Sequence, residues 1–71
     1  MSELSKIWFL RLIEDEIKEV TGAISNESIW IHGSENEEQV QMHTENLASL
    51  EEYKNMLQGI KEKVMEGELL V

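Results

Sequence analysis

Histidine is the side-chain type that exchanges protons near neutral pH, and it is also the commonest metal ligand. This 71-residue chain has two, His32 and His43, in a region whose short β-like segments would place both imidazoles on one face of a hairpin. A metal site there would need a third ligand, for which Glu38 and Glu45 are generic candidates. The spacing matches no standard zinc pattern. The two histidines are therefore interpreted as exposed strand residues, and no metal or other cofactor is predicted.

The acidic residues show no catalytic arrangement. The run Glu35, Glu37 and Glu38 lacks the Asp-x-Asp-x-Asn-Gly framework that wraps calcium, and it is interpreted as a solvated turn. Residues 14–16 and 51–52 are expected on the polar faces of helices. No pair of carboxylates has an apolar pocket around it of the kind that separates an acid from a base. The chain also has no cysteine to act as a nucleophile. The sequence predicts a protein that is not an enzyme.

Fifteen acidic and six basic residues give the chain a net charge of −9. Charge of this density repels nucleic-acid phosphates and anionic lipid headgroups, so neither nucleic acid nor a membrane is expected as a direct partner. The longest apolar run, residues 7–10, is far shorter than a membrane span, and Lys6 and Arg11 flank it. We therefore expect a cytoplasmic protein. Its length predicts a single domain over residues 1–71.

The first segment predicts a helix from Ser2, a good N-cap, to about Gly22, a helix-stopping residue. Its apolar residues form two stripes instead of one. The wider stripe is Phe9, Leu10, Ile13, Ile17 and Val20. The second stripe is Leu4, Trp8 and Leu12. A surface helix of a monomer buries one stripe, so the second is expected to contact another chain.

The middle of the chain changes period, with alternating β-branched, aromatic and polar residues that favour strands. The predicted strands are Glu27–His32 and Gln39–Thr44, paired as an antiparallel hairpin. One register places four apolar side chains on a single face: Ile31 opposite Val40, and Ile29 opposite Met42. Because side chains alternate along a strand, Trp30 would then point to the other face.

A competing interpretation begins with Ser34 and Glu37, which form an S-x-x-E capping box that could start a helix running through residue 66. That helix would have an apolar seam at heptad-like spacing: Val40, His43, Leu47, Leu50, Leu57 and Val64. The seam is poor, because it needs His43, Lys54 and Lys61 at core positions. The alternative fold is an all-α helical hairpin.

The last segment predicts a helix that begins at Ser49, or a turn earlier at Asn46, and ends at Gly67. Its apolar face consists of Leu50, Tyr53, Met56, Leu57, Ile60 and Val64. The resulting fold class is α+β, a small α-β-β-α domain with two helices packed on a two-stranded hairpin. Such a sheet is weak by itself, and a chain of this size buries only about 60% of its unfolded surface. A homodimer or higher oligomer is therefore expected.

The function that these features favour is a non-enzymatic, acidic protein-binding module that contacts a basic surface on a host protein. Small size and acidity suggest an inhibitor or accessory protein of phage or mobile-element type. The predicted protein-binding residues are Leu4, Trp8, Leu12 and Trp30, since tryptophan is enriched at binding hot spots. Two alternatives stay open: a self-assembling structural subunit with no other partner, and a nucleic-acid mimic.

Overall fold

The computed structural model describes residues 2–67, which form two long helices joined by a three-residue link. Helix α1 spans Glu3–Gly33 and helix α2 spans Glu37–Glu66. Glu14 contacts Lys61 near one end, and Glu27 contacts His43 near the other, so the helices run antiparallel. The hairpin measures 51 × 16 × 13 Å. It is a rod held along one seam.

The outer ends of both helices are capped as the sequence predicts. The Ser2 hydroxyl accepts a hydrogen bond from the backbone N–H of Ser5 at 3.1 Å and starts α1. Gly67 ends α2 in the left-handed conformation, with φ of 77°, and its N–H donates to the carbonyls of Lys63 and Val64. A side chain at this φ would be strained, which explains the glycine.

The link between the helices is short and polar. The side chain of Asn36 accepts hydrogen bonds from the N–H groups of Glu38 at 2.9 Å and Gln39 at 3.3 Å, so Asn36 is the N-cap of α2. The Ser34 hydroxyl accepts from the N–H of Asn36 and donates to the Gln39 side chain, both at 3.3 Å. The alternative interpretation therefore predicts the start of this helix to within two residues, but the N-cap is Asn36 and not Ser34.

The predicted α-β-β-α fold is wrong. Residues 2–67 contain no strand: the predicted strand Glu27–His32 is the end of α1, and Gln39–Thr44 is the start of α2. Gly22, the predicted stop, lies inside α1. The alternative all-α hairpin is the observed architecture. The β-like pattern does not prevent a helix here, because a β-branched or aromatic residue costs at most about 0.7 kcal/mol relative to alanine in a helix.

The core is a single row of apolar side chains between the helices. Four are buried: Ile13, Val20, Leu57 and Val64. Five partly buried residues pack beside them: Phe9, Ile17, Ile24, Leu50 and Ile60. The predicted wide stripe of α1 therefore faces α2, and it continues past Gly22 with the same three- and four-residue spacing through Ile24. Packing of that spacing favours helix over strand in this region.

The helical seam was considered poor because it places His43, Lys54 and Lys61 at core positions, and two of these residues have acidic partners on α1. His43 pairs with the Glu27 carboxylate, and the two side chains are only 16% and 20% exposed. The ammonium of Lys61 lies 3.3 Å from a carboxylate oxygen of Glu14. Lys54 is half-buried, and its long methylene stem suits such a position. Polar residues that would be costly unpaired are therefore tolerated in the seam.

Two glycines of α2 predict opposite effects of an added methyl group. A Cβ on Gly59, which lies within the helix, would meet open space, whereas Gly67 has positive φ. We expect Gly59→Ala to raise the free energy of unfolding by about 0.5–1 kcal/mol. Gly67→Ala should lower it, because alanine is strained at that φ. Urea denaturation followed by circular dichroism measures both. Equal signs for the two variants would contradict this account of the cap.

Candidate functional site

The second apolar stripe of α1 lies on the side of the helix that faces away from α2. Its members Leu4, Trp8 and Leu12 are 65%, 57% and 69% exposed. Residues four apart share a helix face, and this face is nearly opposite the one that carries Ile13 and Val20. We call these three residues the outer stripe. No residue within 2–67 covers it, so it is a free apolar surface in the single chain.

The Trp8 ring is held by a neighbour on its own helix. The guanidinium carbon of Arg11 lies 5.2 Å from the centroid of the indole, within cation–π range. Residues three apart are neighbours on a helix surface, which makes the contact local. It restricts the ring before any partner arrives, and less side-chain entropy is then lost on binding.

Trp30 lies near the other end of the hairpin and is 58% exposed. Its indole stacks on the imidazole of His43, with ring centroids 5.7 Å apart and planes 8° apart. The same imidazole donates from Nδ1 to the Glu27 carboxylate. We call Glu27, Trp30 and His43 the loop-end cluster. One histidine of α2 thus fixes two side chains of α1, and the outer face of the Trp30 ring stays accessible.

The structure separates the two histidines chemically. His32 donates from Nδ1 to the backbone carbonyl of Ser28 at 2.8 Å, a contact within its own helix, while His43 bonds to Glu27. Residues 2–67 contain no group of three histidine, cysteine or acidic side chains arranged to hold a metal ion. In that part of the chain, the carboxylate–imidazole pair has no hydroxyl bonded to it that could serve as a nucleophile. Its contacts are those of a packing element.

A second polar contact crosses the helices on the flank of the seam. The hydroxyl of Tyr53 donates to a carboxylate oxygen of Glu16 at 3.3 Å. Desolvation raises the pKa of Tyr53 above its ordinary value of 10.0, and the charge and hydrogen bond of Glu16 raise it further. Both effects disfavour the phenolate, the first by removing water and the second by like charge.

Tyr53 is the one tyrosine of the chain, so the absorbance of tyrosinate reports this contact alone. We expect its pKa to be higher in the folded chain than in urea, and Glu16→Gln to shift it down. Since the folded-state pKa is the higher one, the protonated phenol stabilises the fold. That contribution is complete below pH 10.0 and is lost as pH rises through the folded-state pKa. Tyr53→Phe should remove this part of the alkaline loss. Identical titrations in buffer and urea would contradict the contact.

Several exposed apolar residues were not predicted as surface. Tyr53 and Met56 were assigned to the core face of the last helix, yet Met56 is 52% exposed and Tyr53 lies on the flank. Ile29 and Met42, predicted to face inward from the hairpin, are also exposed. The heptad-like seam of the alternative interpretation, which runs from Val40 through Leu57 to Val64, leaves Met42, Tyr53 and Met56 outside it.

Together, the fold and these surfaces define an antiparallel helical hairpin with apolar side chains on its outer and lateral faces. Comparison with known proteins adds nothing to that class, since no family model, curated protein or solved structure matches the chain. Over residues 2–67, neither helix is long and apolar enough to cross a membrane.

Proposed function

We propose that this protein is a non-enzymatic protein-binding module whose outer stripe contacts the partner. The observation that carries the proposal is the exposure of Leu4, Trp8 and Leu12 on the side of α1 opposite the seam. Apolar patches left open on a small protein usually mark interaction sites, and tryptophan is enriched among the residues that dominate binding energy.

The charge of the chain indicates the chemistry of the partner. With a net charge of −9, the hairpin attracts a basic protein surface over several ångströms and accelerates encounter with it. Arg11, held over Trp8, adds a guanidinium that can pair with an acidic group at the rim of such a surface. A basic host protein is the partner we propose, with binding that weakens as salt increases.

The narrower form of the proposal is an inhibitor or accessory protein of phage or mobile-element type, acting in the cytoplasm. It rests on small size, acidity and the helical surface just described. A helix that presents residues at four-residue spacing suits a groove or a flat helical face on the partner.

Photo-cross-linking in host cells tests the proposal. A benzophenone amino acid would replace Leu4 in the outer stripe, and in a matched control it would replace Glu62, which is exposed on α2. We expect position 4 to cross-link a basic protein that position 62 does not, with the product lost on Trp8→Ala. The same products from both positions would contradict an outer-stripe site. Products containing only copies of this chain would favour the self-assembling subunit instead.

A further inference from the structure

A second surface runs along one flank of the hairpin, where both helices contribute apolar side chains. The Tyr53–Glu16 hydrogen bond shows which flank of α1 and which flank of α2 lie side by side. Leu12 is one turn before Glu16, and Met56 is one turn after Tyr53, so all four lie on this flank. We call its apolar members the side face: Phe9, Leu12, Tyr53, Met56 and Ile60.

The side face connects directly to the core. Phe9 and Ile60 are partly buried and pack against the buried residues of the seam, while Met56 is half exposed. A third and fourth helix laid against this flank would turn the edge of the present core into the centre of a larger one. Helix bundles use this arrangement, in which each helix contacts two neighbours.

The surface area of the chain matches what such a partner would cover. The accessible surface is 5521 Å². A compact protein of 8.2 kDa would expose about 4500 Å². The excess of about 1000 Å² is close to the roughly 800 Å² that each partner buries in a standard stable interface. The radius of gyration of 15.8 Å also exceeds the value of about 11 Å for a compact chain of this length.

We infer that the side face binds a second copy of this chain to form a symmetric four-helix bundle. Within residues 2–67 only four side chains are buried, and the chain has no cysteine to form a disulfide; small folds of this kind usually gain stability by oligomerisation. A second copy supplies the same apolar flank, so a two-fold axis pairs the surface with itself. The side face shares Leu12 with the outer stripe, and its other four members lie outside that stripe.

Salt separates this interface from the proposed partner site. Two copies of the chain repel each other because each has a net charge of −9. On the flank itself, the Glu16 carboxylate already accepts a hydrogen bond from Tyr53 of the same chain. Screening therefore strengthens the dimer, while it weakens binding to a basic protein. The two interactions respond to salt with opposite sign, so the failure of one is distinguishable from the failure of the other.

Sedimentation equilibrium of the purified chain in about 0.1 M and about 1 M NaCl tests the inference. We expect a mass of twice 8.2 kDa, with tighter association at the higher salt. Met56→Glu should weaken dimerisation at least about tenfold, since it places a charge in the apolar interface. Gln58→Glu adds the same charge on the opposite flank of α2 and should leave the constant unchanged, apart from the small common effect of charge.

Three results would overturn the inference. The first is a wild-type mass of 8.2 kDa at both salt concentrations. The second is equal weakening by Met56→Glu and Gln58→Glu, and the third is a dimer that Trp8→Ala dissociates but Met56→Glu does not. Circular dichroism checks that the variants stay helical. If Met56→Glu loses helicity, the milder Met56→Gln takes its place. The mass of the wild-type chain at the two salt concentrations tests the inference without any variant.

Discussion

Leu57→Ala should lower the free energy of unfolding by about 2–5 kcal/mol, while Met65→Ala on the same helix should leave it nearly unchanged. Leu57 is one of the four side chains buried in the part of the chain that the structure describes, and Met65 is 59% exposed. Truncating a buried leucine typically costs about 2–5 kcal/mol, because transfer energy is lost and a cavity is left. The total stability expected for a chain of this length is about 4–10 kcal/mol. One truncation therefore removes much of it.

Urea denaturation at a fixed protein concentration measures the difference, with circular dichroism as the signal. Met65→Ala should change the free energy of unfolding by no more than about 0.5 kcal/mol, as exposed substitutions usually do. Similar midpoints for both variants would mean that the seam does not supply the stability, and the assignment of the core to this row of residues would fail.

The pair Glu27–His43 should show strong coupling in a double-mutant cycle. Glu27→Leu leaves a mostly buried imidazole without its acceptor, and His43→Leu leaves a mostly buried carboxylate alone and exposes the ring of Trp30. Each single change should cost about 1–3 kcal/mol. The double change, which makes this layer of the seam apolar, should restore wild-type stability or exceed it by about 1–4 kcal/mol.

The same experiment tests why a polar pair is present in an apolar seam. A charged or polar group at a core position fixes the register of paired helices, because slippage leaves it unmatched. We expect the double leucine variant to be stable and less uniform, with more oligomeric species in sedimentation velocity. Additive costs of the two single variants, with no coupling, would show that the pair contributes nothing to the hairpin.

The outer ends of the two helices were predictable because caps are local, whereas the predicted start of the last helix at Ser49 or Asn46 is wrong, since α2 begins at Glu37. Ser2 and Gly67 act through bonds within four residues, and both were identified correctly from the sequence. Gly22 misled for the same reason: it is a stop signal locally, but α1 continues through it at a cost of about 1 kcal/mol relative to alanine. Local signals fail where packing between the helices stabilises the fold by more than the helix propensity of a single residue destabilises it.

The seam of α2 is recognised from the sequence and ranks second, because one helix is considered alone. His43 and Lys61 are poor core residues by themselves, and their partners Glu27 and Glu14 lie on the other helix. Compensation between residues so far apart in sequence cannot be found from the periodicity of a single segment. The second stripe of α1 predicted an exposed Trp8, whereas the exposure of Trp30 was predicted from a strand that does not exist.

Trp8 and Trp30 lie on one uninterrupted helix, about 33 Å apart along its axis at 1.5 Å per residue. A continuous helix keeps that distance nearly constant, so the two indole rings are held at a fixed separation. A ligand that engages both must carry two acceptor sites at the same spacing, and the second contact then forms at a high effective concentration. A ligand with any other spacing gains only one contact, so the length of α1 limits which ligands can bind through both rings.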